Sequence, residues 1–226
     1  MFNSNQMSLL LRYYNLSKTK LFFGIVIINL VIIWLSRTLL LNETVFYNTY
    51  STQLTYERSL QLFENLNRLS WISYAFFPII LLLKFIFISI VLYTGLFFLN
   101  LNYKVSFSTI FKIVIASEII FIFAGLLKFL WFYFLAGNYD LNDLGFFYPL
   151  SLINLFKISE VNKIWIYPLQ IVNIFQLVYI LALSFGLSNI GQIDRSDSDR
   201  IVLLSYLPAM ILWIVLIMFL SIDSVI

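Results

Sequence analysis

The stretch Trp71–Leu99 reads WISYAFFPIILLLKFIFISIVLYTGLFFL, and Lys84 is its single charged residue. A helix needs roughly 20 residues to cross the hydrocarbon core of a bilayer. This run exceeds that length, and tilt or protrusion past the lipid absorbs the excess. The rest of the chain is organised around it. Asn100–Ser108, carrying Lys104, is short enough to be a tight helical hairpin. It leads into a second long apolar run, about Thr109–Leu135, whose acidic residue is Glu118.

Upstream, residues 1–20 are polar and basic, with Arg12, Lys18 and Lys20 and no acid. Leu9-Leu10-Leu11 beside Tyr13-Tyr14 reads as a short interfacial helix. A first span follows at 21–41. A basic start before an apolar run is also the mark of a signal peptide, but no small-x-small cleavage site follows, so a retained signal anchor is expected. Residues 42–70 hold Glu43, Glu57, Arg58, Glu64 and Arg68, with Leu62, Leu66 and Leu69 at helical spacing. That pattern predicts an amphipathic helix on the exterior side.

Downstream, 136–163 is polar except for Phe146–Phe156, an apolar stretch interrupted by Pro149. It is too short to cross and reads as re-entrant or interfacial. A fourth span is expected at about Ile164–Ser188, with Pro168 in its first turns, and a fifth at about Ile201–Ile222, containing Pro208. Between them Asn189–Arg200 reads as a solvated loop. Its Asp194, Asp197 and Asp199 lack the spacing and closing Glu of an EF-hand. The expected fold is therefore an all-α polytopic bundle of about five transmembrane helices. Its parts are a cytoplasmic N-terminus (1–20), an exterior segment (42–70), a four-span core (71–222) and a short exterior tail (223–226).

Composition agrees. Of 226 residues, 62% are hydrophobic and 11% charged, against roughly 25% charged in soluble domains. A mean hydropathy of +0.94 exceeds what a water-facing surface tolerates. The aromatic share of 19% suits lipid contact and interfacial belts. The absence of Cys excludes disulfides and thiolate chemistry, and the absence of His removes the commonest general base and metal ligand. No Gly-rich phosphate loop and no Lys/Arg run is present, so neither a cofactor nor a nucleic-acid partner is expected. Orientation follows from the basic residues near the span ends. N-in and C-out places Arg12, Lys18, Lys20, Lys104, Arg195 and Arg200 inside, against Arg58, Arg68, Lys157 and Lys163 outside.

The candidate site residues are polar groups at membrane depth. A Lys at mid-span costs roughly 2.5–3.5 kcal/mol for insertion, so Lys84 needs a reason to be there. Ser73, Lys84 and Gly95 recur every eleven residues and share one stripe. Gly125, seven residues past Glu118, allows close approach of a neighbouring helix. The hairpin makes the second and third spans antiparallel neighbours and brings Lys84 and Glu118 within reach of each other. The expectation is a buried ion pair; the alternatives are a role in ion or substrate passage, or no contact, with each group snorkelling or partnered elsewhere. In the fourth span Gln170, Asn173, Gln176 and Ser184 fall in one wedge, for interhelical hydrogen bonds or a polar path. Arg37 and Lys128, near span ends, are expected to snorkel to the interface.

Five closely spaced spans, a cytoplasmic N-terminus and a short tail resemble the Yip family of Rab-interacting membrane proteins and its bacterial branch. The local strings are Asn102-Tyr103-Lys104-Val105-Ser106-Phe107 before Phe111-Lys112-Ile113-Val114, and Leu183-Ser184-Phe185-Gly186-Leu187 before a last span with Pro208 and Trp213. The Asp-Leu-Tyr-Gly-Pro type signature of the eukaryotic members is absent, so a GTPase partner is not carried over. The resemblance implies a non-enzymatic membrane protein of a bacterial inner membrane. It would act in the lipid bilayer as a scaffold or partner-binding subunit, with other membrane proteins or a second copy as partners. The competing expectation is a permease or channel-like transport subunit using Lys84, Glu118 and the polar fourth span. Five spans are few for a transporter built from paired repeats.

Overall fold

The computed structural model describes residues 13, 16–51, 53–99 and 103–222. The expected Leu9–Leu11 interfacial helix and the 223–226 tail lie outside them. The fold is all-α, with no named strand among the described residues. Four helices are long and apolar enough to cross a membrane: Lys18–Leu40, Ser70–Phe98, Phe107–Leu135 and Arg195–Ser221. Large apolar side chains such as Leu83, Phe87, Phe97, Leu212 and Phe219 point outward, while Ser89, Ser117, Glu118, Gln176, Ser184 and Ser198 are buried. That inversion of the water-soluble pattern is what lipid as the surrounding solvent demands. The chain is an integral membrane protein of multi-pass build.

In chain order the elements are α1 (Lys18–Leu35), which continues as a π-helical turn Ser36–Leu40; α2 (Glu43–Tyr50); α3 (Tyr56–Arg68); and α4 (Ser70–Phe98). The next long helix comprises α5 (Phe107–Ser117), α6 (Ile119–Leu130) and a π-helical turn Trp131–Leu135. Then come α7 (Leu141–Phe146), α8 (Lys163–Ile171) and α9 (Ile174–Asn189). The last is α10 (Arg195–Ile201), a π-helical turn Val202–Tyr206, and α11 (Leu207–Ile222).

Three of these depart from the sequence reading. The continuous fourth span is instead two helices, broken at Val172-Asn173. At 1.5 Å per residue, the 16 residues of α9 span about 24 Å, short of a hydrocarbon core of about 30 Å. The last helix begins at Arg195, so the second half of the expected 189–200 loop is helical. Arg195 pairs with Asp199 at 3.3 Å and Arg200 with Asp197 at 3.5 Å, at helical spacings. Pro208 lacks an N–H and its ring crowds the carbonyl four residues back, and the π-helical turn before it relieves both conditions. Finally, 42–70 forms two helices rather than one. Its buried residues are Val45 and Phe46 of α2 and Ser59 and Phe63 of α3, while Leu66 and Leu69 are exposed.

The chain divides into two compact units, one of Met1–Ile25, Leu82–Phe121 and Ile174–Ile226, the other of Val26–Leu81 and Ile122–Asn173. In the first, α9 packs on α5 and α10. Gly186 lies directly under Ile113, and a β-carbon built at Gly95 would lie 2.7 Å from Ser205 Cβ, so both glycines are there for closeness of approach.

The second unit is held by aromatic clusters and backbone caps. Phe46 packs on Phe63 (5.7 Å between centroids), and Phe132 packs on both Tyr139 (5.1 Å) and Phe147 (5.4 Å). Asn42 caps α2 by accepting from the Val45 N–H, and Asp140 and Asp143 form a capping box on α7. The Tyr139 hydroxyl donates to the Leu40 carbonyl (3.0 Å), and the Leu141 N–H donates to Thr49 Oγ1 (2.9 Å). Burial raises the Tyr139 phenol above its ordinary range. Phe146–Phe156 is not one helix. After α7 the chain turns through Leu150, at φ 53°, and Ser151 bridges antiparallel to Asn173.

Candidate functional site

Lys84 and Glu118 meet in the first unit, with Nζ 2.6 Å from Oε1. α4 supplies the lysine at its middle, and the carboxylate comes from the junction of α5 and α6. The backbone tightens at that junction. The Glu118 N–H donates to the Ile115 carbonyl and the Phe121 N–H to the Glu118 carbonyl, each a three-residue step rather than four. The tightening leaves the Ala116 carbonyl to accept from the Tyr13 hydroxyl at 3.1 Å.

The two partners differ in burial. The Glu118 side chain is 5% exposed and that of Lys84 39%. The Phe121 ring lies 4.4 Å from the ammonium and the Tyr179 ring 6.0 Å, so two aromatic rings line the charge. Among the described residues the ammonium has no acceptor other than Glu118, and Glu118 Oε2 is buried without a hydrogen bond. Taking either partner from such a pair leaves an uncompensated charge, at about 3–5 kcal/mol where the site is dry.

A second polar contact lies nearby in the same unit. Gln176 Nε2 donates to the Tyr206 hydroxyl at 2.8 Å and approaches Met210 Sδ at 3.1 Å, tying α9 to the last helix. Tyr179, one turn on from Gln176, packs against both Phe121 (4.9 Å) and Tyr206 (5.8 Å). Ser184 donates to Asp199. At the hairpin, the Tyr103 hydroxyl lies 3.0 Å from a carboxylate oxygen of Asp194 and 3.0 Å from one of Asp197. Desolvation raises the Tyr103 phenol above its ordinary range. The carboxylates of Asp197 and Asp194 add to the rise, against the Asp194 amide, which lowers it.

The wedge read along the fourth span is divided by the break in that helix. Gln170 and Asn173 belong to the second unit. Gln170 Nε2 donates to the Gly145 (3.1 Å) and Phe146 (2.7 Å) carbonyls at the end of α7. Asn173 Nδ2 donates to the Gln170 and Ile171 carbonyls, satisfying the exposed end of α8. These two side chains tie backbone together, and Gln176 serves an interhelical contact in the other unit. Sequence reasoning missed Tyr179 and Tyr206. The available signal was their type: a tyrosine at mid-span carries a hydroxyl that lipid cannot satisfy. No cluster of three or more metal-ligating side chains occurs among the described residues. No protein-family model, curated protein or solved structure matches the chain.

Proposed function

We propose that the chain is a non-enzymatic subunit that binds a membrane partner through the α4 face carrying Lys84. The observation that supports this is the asymmetry of the ion pair. Glu118 is sealed, whereas the lysine side chain is partly exposed on a helix whose neighbours Leu83 and Phe87 also face outward. An ammonium at mid-span offers unused N–H donors in lipid, where nothing accepts them. A partner helix bearing a carbonyl, amide or carboxyl oxygen would. The Yip-type layout expected from the sequence, which needs a fifth crossing by the short α9, implies the same class of role. A second reading, a transport subunit, draws on one observation, the buried Glu118 Oε2 without a hydrogen bond. A proton or cation held there would make the pair part of a pathway.

Purified protein in liposomes separates the two. The partner-binding reading predicts proton and potassium leak no faster than in protein-free vesicles, for wild type and Glu118→Gln alike. Flux above background that Glu118→Gln abolishes would establish the transport reading instead.

The orientation we propose is N-in and C-out, supported by the basic residues before the first span; it requires that the short α9 also crosses, with the bilayer thinned around it. The native chain has no cysteine, so single cysteines report cleanly. A cysteine at exposed Glu57 should react with an impermeant maleimide added outside, and one at exposed Ser196 should not. The reverse pattern would invert the topology.

A further inference from the structure

We propose that the second unit carries a site for one anionic glycerophospholipid, with an acyl chain in a cleft on α1 and the phosphate on Arg37. The cleft is lined by Ile27, Leu30, Val31 and Trp34 of α1 and Tyr74 of α4, and has a volume of about 350 Å³. Its walls are apolar. Trp34 and Tyr74 are residue types that settle at the level of lipid headgroups. Arg37 lies three residues beyond Trp34, in the π-helical turn that continues α1 past this end of the cleft. From Ile27 to Trp34 the cleft runs about 10 Å, the form of a slot for an extended hydrocarbon chain.

Charge complementarity identifies the occupant. The Arg37 guanidinium has one hydrogen bond, to Asn67 Oδ1 at 3.5 Å, and among the described residues no carboxylate lies within ion-pair distance of it. A guanidinium has five N–H donors arranged to match phosphate oxygens two at a time. Arg68 follows Asn67 directly in the chain and likewise has no ion-pair partner among the described residues. A cation at the headgroup end of an apolar slot, flanked by Trp and Tyr, is complementary to a phosphodiester with its tail attached. A zwitterionic headgroup carries its own cation and competes with the guanidinium for the same phosphate. The observations therefore favour a headgroup with net negative charge.

The test uses the full-length protein, delipidated in mild detergent and titrated with dioleoyl phosphatidylglycerol or dioleoyl phosphatidylcholine. Bound lipid is counted by native mass spectrometry. One phosphatidylglycerol should bind about tenfold more tightly than phosphatidylcholine, the ratio expected for a charge-assisted contact. Arg37→Gln should remove that preference and Arg37→Lys should keep part of it. Arg58→Gln, an exposed arginine bonded to Gln61, should change nothing. Val31→Trp, which fills the slot, should weaken both lipids. Equal binding of the two lipids by wild type, or an Arg37→Gln variant that keeps the preference, would overturn the proposal. Displacement of the lipid by millimolar inorganic phosphate would also overturn it, by showing a free-anion site.

Discussion

The two units of this chain hold together by different chemistry. In the first, helices meet through polar side chains at membrane depth and through glycines: Lys84 with Glu118, Gln176 with Tyr206, Ser184 with Asp199, and Gly186 beneath Ile113. In the second, cohesion comes from aromatic rings around Phe46 and Phe132 and from caps on short helices, Asn42, Asp140 and Asn173. Lipid supplies no hydrophobic drive for one helix to leave it for another, so close packing and buried polar contacts do the joining there. Segments with short helices and many turns have backbone groups left over, and side chains must answer them. The contrast teaches that the polar residues of this sequence serve two purposes. In long spans they join helices, and in the broken parts they satisfy backbone.

The largest effect should come from the aromatic cluster. Phe132→Ala deletes a buried ring touching Tyr139 and Phe147, and should cost about 3–5 kcal/mol. Hydrogen exchange in detergent would localise the loss. Amides of Leu141–Phe146 should lose protection while those of Phe107–Ser117 keep theirs. Equal loss in both would show that the distinction between the units has no energetic content.

A smaller effect sharpens the comparison from the other side. Gly186→Ala forces a methyl against Ile113 and should destabilise by about 1–3 kcal/mol. Gly145→Ala, where nothing lies within 4 Å of the added carbon, should stay within about 0.5 kcal/mol of wild type. Thermal unfolding of the two variants in one detergent compares them directly. Comparable losses would mean that close helix approach is not what Gly186 provides.

Much of this architecture was legible in the sequence, and the failures have physical causes. The long spans are visible because apolar runs of such length leave no other solvent than lipid. That Lys84 faces Glu118 follows from the short hairpin, which sets their helices side by side, and from an offset in depth of about 7 Å that a flexible lysine stem can bridge. The break at Val172-Asn173 was not legible. Gln170 to Asn173 carries no Gly or Pro, and its apolar spacing continues a helix. What ends it is distant in the chain: Ser151 pairs with Asn173, and the Leu152 N–H takes the Val172 carbonyl at 3.0 Å. Tertiary hydrogen bonds overrode local propensity there. The polarity of Arg195–Arg200 suggests a loop, although Arg195 and Asp199 stand at helical spacing. The tight turn at Glu118 is equally hidden from local sequence, and the Tyr13 hydroxyl that meets the Ala116 carbonyl beside it comes from 103 residues away.

The account rests on Lys84 and Glu118 acting on each other rather than as two separate polar residues in lipid. A double-mutant cycle with Lys84→Met, Glu118→Leu and the pair, followed by unfolding in detergent, measures this directly. Lys84→Met should be the more damaging single change, because it strands the buried carboxylate, whereas Glu118→Leu strands a partly exposed ammonium. The double variant should recover part of the loss, with a coupling of about 0.5–3 kcal/mol. Losses that simply add would contradict the account, because the 2.6 Å contact would then contribute nothing to holding α4 against the α5–α6 helix.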